Sequence, residues 1–561
     1  MRKWVLLIVL LLVPLFAQLV PVSAQSPPRK VHLTYSINDP SRSVTITWET
    51  RDEVSSVVKY DTEPRGGDPD AYEFEAYGTV HTYAGASGYI HDVVLNDLQP
   101  NTTYYFVCGS PEGGWSQEMA FRTAPLIPEK IVFVAGGDSR TNPDKRDAVS
   151  ELMAQYSPEF VLYTGDAVDS GHEQSLWDDW FNSMQQYWVT PEGYRIPILP
   201  CLGNHEENAV NYYKQYALPG NEQWYSIDYT PYLHIVCLNS ETSLSGDQLE
   251  WLEADLKAHQ DVPWIVVFFH RPPYSASRHG SSLTIRRTWC PVFDQYGVDF
   301  VFNGHDHCYE RTKPIKGEQV ADSYLNGTCY VVTGGWGAPL YGVGEEWWTA
   351  YSESCHHFCL VEITVNGTST TLTLKAIRRD GTLMDSLSVT KENVAPPPLI
   401  SQVSWEPSAP RTGDNVQVRA YVTDYKGLER VYVRWTTDGW QTVHESDMVG
   451  ENGGLWTASL GSFPEGTTLE FEVVEEVLQR HVGRDRVVHR RHVSPLLHDG
   501  EDLPPQLLLD GLLPLGQRPF VNPSHEGHVP AELLAQPHGV HPRRRFQGPV
   551  AVYPRLDHER D

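Results

Sequence analysis

The sequence is poor in positive charge. Only 43 Lys and Arg residues stand against 72 Asp and Glu residues, which gives a formal net charge of −29. A field of this sign repels nucleic acid and anionic membranes at long range, so we expect no nucleic-acid binding. An anionic substrate would need the local charge of metal ions to overcome the same field.

Cysteine is also scarce, and no CxxC pair occurs among the eight cysteines. The spacing therefore gives no support for a zinc site built from cysteine pairs. We expect disulfides instead, in a pairing that the sequence does not choose. The eight residues are Cys108, Cys201, Cys237, Cys290, Cys308, Cys329, Cys355 and Cys359.

Long apolar runs are missing after the N-terminus, so no membrane span is expected in the mature chain. Residues 1–24 have a basic start, an apolar stretch and a Val-Ser-Ala ending, which is the pattern of a signal peptide. We predict cleavage after Ala24 and a secreted, extracellular or cell-surface protein, the alternative being a membrane anchor. Sequons compatible with a glycoprotein occur at Asn101, Asn326 and Asn366.

The chain is long enough for three or four domains, and its 40% hydrophobic content is that of a globular protein. Short alternating strands over residues 28–125 predict a β-sandwich of the fibronectin type III-like kind. Apolar runs that alternate with helical stretches over residues 128–392 predict an α/β domain. Beyond a stiff Ala395–Pro398 linker, alternation over residues 399–474 predicts an incomplete immunoglobulin-like sandwich.

Residues 475–561 do not continue this pattern, because after Val474 the chain has no Trp or Lys and contains nine of its 23 histidines. Two explanations stay open for this irregular or disordered tail. It is either a His/Arg-rich binding segment or a frame-shifted end that truncates the sandwich, and we favour the second. We attach no function to it.

The sequence predicts one helix of the central region clearly. Ser245 to Gln248 matches a capping box, and leucines then recur at helical spacing up to Ala258. The apolar run Trp264–Phe269 follows directly and predicts a strand.

Five apolar segments of the central region each end in a short polar motif. Open α/β sheets bind ligands at such carboxyl ends of strands. A lone Gly-Asp is usually a turn and a lone His is little more specific, whereas Gly-Asn-His-Glu and Gly-His-Asp-His are stronger signals, and five motifs in order favour a shared site. The motifs are Gly136-Gly137-Asp138, Gly165-Asp166, Gly203-Asn204-His205-Glu206, His270-Arg271-Pro272 and Asn303-Gly304-His305-Asp306-His307.

Carboxylate, carboxamide and imidazole groups suit Mn, Fe and Zn. Six such groups would oversupply one ion, but they fit two ions that share a bridging carboxylate. The six candidates are Asp138, Asp166, Asn204, His270, His305 and His307.

The order of these motifs resembles that of the calcineurin-like metallophosphoesterases: GD, GD, GNH, H and GHxH. The segment Gly304–Arg311 is similar to the GHxHxYER of purple acid phosphatases, which also carry an N-terminal fibronectin-like domain. The resemblance covers about residues 28–390 and implies a central domain with two sheets flanked by helices. It implies a phosphatase with two divalent or trivalent ions of Fe, Zn or Mn.

The resemblance assigns Asp138, Asp166 and His307 to the first ion. It assigns Asp166 as bridge, with Asn204, His270 and His305, to the second ion. His205 and His279 take the places of histidines that contact phosphate in the family, although His279 also fits a plain surface-loop histidine beside Arg278.

One departure concerns the tyrosine that ligates iron in purple acid phosphatases. Asp169 stands in its place, where it either ligates a metal or faces water, so the charge-transfer colour is not expected. Arg140 replaces the last residue of the family's GDxG motif, where it either clamps a substrate phosphate or forms a salt bridge.

The implied reaction is hydrolysis of phosphate monoesters by a metal-bound hydroxide, with His205 and His279 as catalytic groups. A phosphodiesterase or nucleotidase on the same scaffold is the alternative, since all share the six ligands. A non-catalytic cell-surface binding protein is disfavoured because no ligand is missing. The natural substrate and the oligomeric state stay unassigned.

Overall fold

The computed structural model describes residues 26–477 and 489–493, except for residues 395, 397–398, 408–409, 424–427, 452–453 and 465–466. The predicted leader, most of the predicted linker and most of the tail lie outside the described residues. Over the described part, the chain is mostly sheet. None of its helices there has the length and apolarity needed to span a bilayer.

The N-terminal part is a sandwich of two sheets, ordered β1-β2-β6-β5 and β4-β3-β7-β8 with β9 on β7. The Tyr104 hydroxyl accepts a hydrogen bond from the Gln99 amide at 2.8 Å, which closes the turn that leads into β7. Trp48 is buried and stacks on His91. The strands are β1 (Arg29–Thr34), β2 (Val44–Thr50), β3 (Val57–Asp61), β4 (Phe74–Tyr77), β5 (Thr79–His81), β6 (Tyr89–Leu95), β7 (Thr103–Ser110), β8 (Gly114–Trp115) and β9 (Met119–Arg122).

The central part contains fifteen strands and six helices within the described residues. The strands are β10 (Lys130–Gly136), β11 (Phe160–Tyr163), β12 (Ile198–Pro200), β13 (Tyr225–Thr230), β14 (Leu233–Cys237), β15 (Trp264–Phe269), β16 (Phe300–Asn303), β17 (Tyr309–Thr312), β18 (Ile315–Lys316), β19 (Gln319–Val320), β20 (Cys329–Thr333), β21 (Thr349–Glu353), β22 (His357–Asn366), β23 (Ser369–Arg378) and β24 (Leu383–Lys391). The helices are α1 (Pro143–Ala154), α2 (Gln174–Tyr187), α3 (Val210–Gln215), α4 (Asp247–Ala258), α5 (Leu283–Thr288) and α6 (Cys290–Tyr296).

Two large sheets form the body of this central part, as the resemblance implied, and β18 and β19 form a separate two-stranded sheet. One is ordered β12-β11-β10-β22-β23-β24 and the other β13-β14-β15-β16-β20-β17-β21. Strands β10, β11 and β12 are parallel, and so are β14, β15, β16 and β20. The predicted motifs follow β10, β11 and β12 in the first sheet and β15 and β16 in the second. The carboxyl ends of both parallel sets therefore meet at one place.

The C-terminal part has two sheets, ordered β25-β26-β30-β29 and β28-β27-β31-β32. Its immunoglobulin-like kind and the domain boundaries stay predictions. The last two strands correct the predicted start of the irregular tail, because β31 runs past Val474 and pairs with β32. The strands are β25 (Leu399–Glu406), β26 (Asn415–Thr423), β27 (Leu428–Thr436), β28 (His444–Asp447), β29 (Val449–Gly450), β30 (Leu455–Ser462), β31 (Glu470–Val477) and β32 (His489–Val493).

The predicted capping box is wrong, although the helix ends at Ala258 as expected. Helix α4 is capped by Gly246 with φ of 68° and no side-chain cap. The Gln248 side chain turns inward, accepting from the Asn239 amide at 2.8 Å and donating to the Asn239 and Ser243 carbonyls. Because these bonds link α4 to the chain that follows β14, the buried amide fastens the helix start to the sheet.

The expected disulfides are also wrong, since all eight cysteines are free. Seven of them are buried and one is half-buried. Several thiols donate to oxygen acceptors instead: Cys359 to Thr333 Oγ1 and Cys237 to the Pro200 carbonyl. These cysteines behave as small apolar residues of the core.

Asp228, His234 and His259 bring possible metal-ligand atoms within 4.8 Å of one another. Both ring nitrogens of His234 contact carboxylates, Nδ1 to Asp228 and Nε2 to Asp255, each at 2.8 Å. The His234 and His259 rings stack at 3.8 Å with 13° between their planes. One ion cannot lie in the planes of two stacked rings, so this cluster is an imidazolium held between two carboxylates.

The pH dependence of unfolding tests this interpretation. Burial alone lowers the pKa of His234, but Asp255 and Asp228 outweigh it and raise the pKa from 6.5 to about 10. The stabilisation is then complete below pH 6.5 and disappears as the pH rises through about 10. We expect His234→Asn to lose about 3 kcal/mol of unfolding free energy near neutrality and much less under alkaline conditions.

Chemical denaturation at several pH values measures this difference, and His172→Asn is the control because the His172 side chain is exposed. An equal loss at every pH would contradict the prediction.

Candidate metal centre

The six candidate ligands converge where the two central sheets meet. His270 links the sheets directly, because its Nδ1 donates to the Thr164 carbonyl at 2.8 Å. His305 does so through its backbone, whose N–H donates to Asp138 Oδ2 at 2.9 Å. Segments scattered along the chain are thus brought within hydrogen-bond distance, as the motif order predicted.

The backbone at this junction is unusual. Asp138, Asp166 and His305 have φ values of 58°, 58° and 69°, in the left-handed region that non-glycine residues seldom adopt. Such conformations cluster at functional sites because surrounding contacts must hold them in place. The turns aim each side chain inward from the end of its strand.

Two glycines of the motifs are required by close packing. A Cβ at Gly304 would lie 2.4 Å from Asp138 Oδ2, and a Cβ at Gly203 would lie 2.2 Å from Asp166 Oδ1. The carboxylates occupy the space that a side chain would need. The Gly before His305 and the Gly before Asn204 are therefore part of the site.

Asp138 and His307 face each other in one half of the site. The Nε2 of His307 lies 3.3 Å from Asp138 Oδ1, while its Nδ1 donates to the Pro339 carbonyl at 2.6 Å. A neutral imidazole with a proton on Nδ1 has none on Nε2. The Nε2 lone pair is therefore aimed at a carboxylate oxygen.

Asp166, Asn204, His270 and His305 form the other half. The Nε2 of His270 lies 3.3 Å from Asp166 Oδ1, 3.1 Å from Asn204 Oδ1 and 3.2 Å from His305 Nδ1. Because His270 Nδ1 is bonded to the Thr164 carbonyl, a neutral ring presents an unprotonated Nε2 to these groups. The Nε2 lone pair of the neutral His270 ring therefore faces the oxygens of Asp166 and Asn204.

This donor set fits a cation. Asp138, Asp166 and His270 offer ligand atoms within 4.8 Å of one another, and all three are buried. Asp138 Oδ1 is fully buried and has no hydrogen-bond partner, which is costly for a carboxylate unless a cation lies beside it. Burial accordingly raises the pKa of Asp138 well above its usual value.

Asp169 and Arg140 lie at the edge of the site and pair with each other. Arg140 Nη1 bonds Asp169 Oδ1, and Arg140 Nε lies 3.5 Å from Asp166 Oδ2. The Asp169 side chain is 56% exposed, which matches the predicted option of facing water more closely than that of ligation. Of the two predicted options for Arg140, the salt bridge is the one observed.

His205 lies on the open side of Asp166. Its Nδ1 donates to the Asp169 carbonyl at 2.7 Å, and its Nε2 is 3.8 Å from Asp166 Oδ2. His279 is exposed, but its ring lies 4.3 Å from that of His305. Both histidines therefore stand at the mouth of the site, as the resemblance implied, and their catalytic roles stay predictions.

The sequence did not indicate a role for Glu206, which is the last residue of the Gly203-Asn204-His205-Glu206 motif. It is buried and accepts from three backbone amides: Gly203 at 2.7 Å, Asp166 at 2.9 Å and Ala167 at 2.7 Å. Burial, together with Asp166, raises the pKa of Glu206 to about 8. Glu206 thus joins the turn that carries Asp166 to the turn that carries Asn204.

Arg271 was also missed. Its guanidinium forms a two-pronged ion pair with Glu241, with Nη2 at 2.8 Å from Oε2, and Nη1 donates to His305 Nε2 at 3.2 Å. Because this bond occupies Nε2, the Nδ1 of His305 is the atom turned toward His270. Only the position next to His270 could have drawn attention to Arg271.

Two family models match the chain. Residues 28–123 match "Purple acid Phosphatase, N-terminal domain" and residues 93–309 match "Calcineurin-like phosphoesterase". Purple acid phosphatase 22 of Arabidopsis thaliana is 30% identical over 314 residues, covering 52% of this chain and 68% of the relative. The Fe(3+)-Zn(2+) purple acid phosphatase 12 of the same plant is 29% identical over 341 residues, covering 56% and 70%.

A solved structure is similar as well. The purple acid phosphatase PPD1 from yellow lupin seeds superposes with a TM-score of 0.56 at 21% identity, covering 65% of this chain and 75% of that one. At this identity the likeness shows the fold alone. It confirms the predicted N-terminal domain followed by a metallophosphoesterase domain.

Replacement of Glu206 tests its positioning role. Glu206→Ala leaves three buried N–H groups without an acceptor, so we expect a loss of about 3 kcal/mol of unfolding free energy. The loss should persist in chelator, because it arises from the turns and does not need metal. Denaturant unfolding with and without chelator measures it.

Glu207→Ala is the matched control, since the neighbouring Glu207 side chain is 48% exposed. Equal stability of the two variants would rule out the positioning role.

Proposed function

Because the chain belongs to the purple acid phosphatase family, we propose that it hydrolyses phosphate monoesters at a pair of metal ions. Family membership makes it a metal-dependent phosphoric ester hydrolase. The preference for monoesters, the assignment of each ligand and the route of export are our proposals. The C-terminal strands are proposed to form an immunoglobulin-like domain.

One observation carries the assignment of the ligands. The Nε2 atoms of His270 and His307 lie 3.3 Å from carboxylate oxygens although both Nδ1 protons are already given to carbonyls. A bare Nε2 and a carboxylate repel each other unless a proton or a metal cation lies between them. This is the electrostatic signature expected of a metal centre.

We assign the first ion to Asp138, Asp166 and His307, and the second to Asp166, Asn204, His270 and His305. The relative named Fe(3+)-Zn(2+) purple acid phosphatase 12 supports two ions of unlike charge, and Fe, Zn and Mn all suit these donors. When bound, such a pair lowers the pKa of a water that attacks phosphorus and neutralises the phosphate oxygens.

The chain's own residues orient the ester and move protons. His205 is held by its Nδ1 bond to the Asp169 carbonyl, so its Nε2 faces the space beside Asp166. In its protonated form it can donate from Nε2 to a phosphate oxygen or to the departing alkoxide. His279, packed against His305, offers a second donor on the neighbouring side.

The residue at position 169 affects the visible absorption spectrum expected of the protein. Its carboxylate is engaged by Arg140, and no phenolate occupies the place that gives the family its colour. We propose a centre without the charge-transfer band. Arg140, once displaced from Asp169, would be free to contact a substrate phosphate.

Loss-of-ligand variants test the function. We expect the purified chain to contain two metal ions and to hydrolyse an aryl phosphate faster than an aryl phosphodiester. Asn204→Ala and His270→Ala should reduce monoester turnover by about a hundredfold or more, because each removes a metal donor. The metal content of the wild type and of each variant is measured in parallel.

Asn208→Ala is the control for the first variant, as Asn208 is exposed in the same loop. Full activity in both ligand variants would refute the assignment, and a preference for the diester would favour the phosphodiesterase alternative.

We also propose that the chain is exported after cleavage behind Ala24. N-terminal sequencing of protein recovered from the medium of expressing cells should begin at Gln25. Recovery only in the cell fraction, with Met1 retained, would contradict this proposal.

A further inference from the structure

One wall of the candidate metal centre is built from two loops that are tied together. The Gly344 amide donates to the Ala276 carbonyl at 3.0 Å, and Ser277 Oγ donates to the Gly342 carbonyl at 2.9 Å. The first loop carries His279 and the second carries Tyr341. We name these two loops, residues 275–281 and 339–344, the rim.

Two buried acids fix the rim to the metal centre. Asp306 Oδ1 accepts from the His279 amide at 2.9 Å, and its Oδ2 accepts from Ser275 Oγ at 2.6 Å. Glu310 Oε2 accepts from the Ala276 amide at 2.7 Å. Both acids belong to the segment that also supplies His305 and His307, so the rim cannot shift without moving that segment.

Aromatic contacts continue from the ligands to the outside of the rim. Tyr341 stacks on His307 with 4.0 Å between ring centroids and meets His279 edge-on at 5.4 Å. The Arg278 guanidinium lies over the Tyr341 ring, 4.9 Å from its centre. The Tyr341 ring therefore contacts both an exposed guanidinium and a candidate metal ligand.

Arg278 differs from Arg140 and from Arg271, which lie beside the candidate ligands and both form ion pairs. Arg140 is already paired with Asp169, whereas within the described part of the chain Arg278 has a ring contact and no ion pair. Its positive charge is thus uncompensated on a strongly acidic protein. A guanidinium held by a cation–π contact uses none of its N–H groups for it, so they stay free for two-pronged binding of an anion.

The reaction itself explains where such a group would act. A phosphate monoester bound to the metal centre places its phosphate among the ligands, and its leaving group extends through the mouth of the site, which the rim borders. A second negative charge on that leaving group would meet the net field of the protein. A fixed, unpaired arginine beside the ligands counters that repulsion locally.

We propose that Arg278, supported by Tyr341, forms a leaving-group subsite that selects phosphate monoesters carrying a second anionic group. The inference rests on the proposed phosphatase function. Tyr341 positions the guanidinium, and Asp306 holds the loop that carries Arg278. The chemical class of substrate is a monoester whose alcohol part bears a carboxylate or a further phosphate.

A matched pair of substrates tests the subsite with the metal-loaded full chain. The pair is 4-carboxyphenyl phosphate and its methyl ester, which differ in the second charge. We expect Arg278→Gln to lower the ratio of kcat/KM for the acid over the ester by about tenfold. Intrinsic differences between the leaving groups cancel, because the comparison is between enzymes. Arg278→Lys keeps the charge without the planar fork and should give an intermediate ratio.

Arg287→Gln is the control, since Arg287 is an exposed arginine of the nearby helix α5 that makes no part of the site. It should leave the ratio as in the wild type. An unchanged ratio in Arg278→Gln, or an equal fall in Arg287→Gln, overturns the subsite while the phosphatase function stands. Failure of the wild type to hydrolyse either ester overturns the proposed function and the subsite together.

Discussion

The hydrogen bond from His270 Nδ1 to the Thr164 carbonyl is the contact on which the centre depends. It crosses from the second central sheet to the first, and it also fixes which nitrogen of the ring is free. A backbone carbonyl cannot donate, so Nδ1 carries a proton, and in the neutral ring the lone pair lies on Nε2. His307 makes the same kind of bond, from its Nδ1 to the Pro339 carbonyl. The first of these bonds thus joins the two sheets, and both bonds set which ring nitrogen faces the carboxylates.

The sequence predicted the strands that carry the site well. The run Trp264–Phe269 coincides with β15, and Phe160–Tyr163 coincides with β11, because fully buried parallel strands are continuous apolar segments. The six ligands could be found because each follows such a strand. Their convergence then followed from the rule that parallel strands present their carboxyl ends at one edge.

The features that the sequence did not predict depend on long-range contacts. Gln248 matched a capping box, but tertiary bonds to Asn239 took its side chain away from the helix end. Glu206 and Arg271 act on groups far along the chain, so local patterns contain no sign of their partners. The left-handed turns at Asp138 and Asp166 are likewise imposed by their surroundings. The cysteines were expected to pair from their presumed compartment alone, which says nothing about the distances between them.

The accessibility of the free thiols to a chemical reagent reports which part of the folded chain opens. Burial raises the pKa of Cys108, Cys329 and Cys359 to about 12. In the folded protein these sulfurs are therefore neutral and shielded from solvent. An alkylating reagent reacts only with an exposed thiolate, so modification requires the chain to open. Cys108 lies in the N-terminal sandwich, whereas Cys329 and Cys359 lie on β20 and β22 of different central sheets. The order in which a maleimide modifies them would reveal which part of the molecule gives way first.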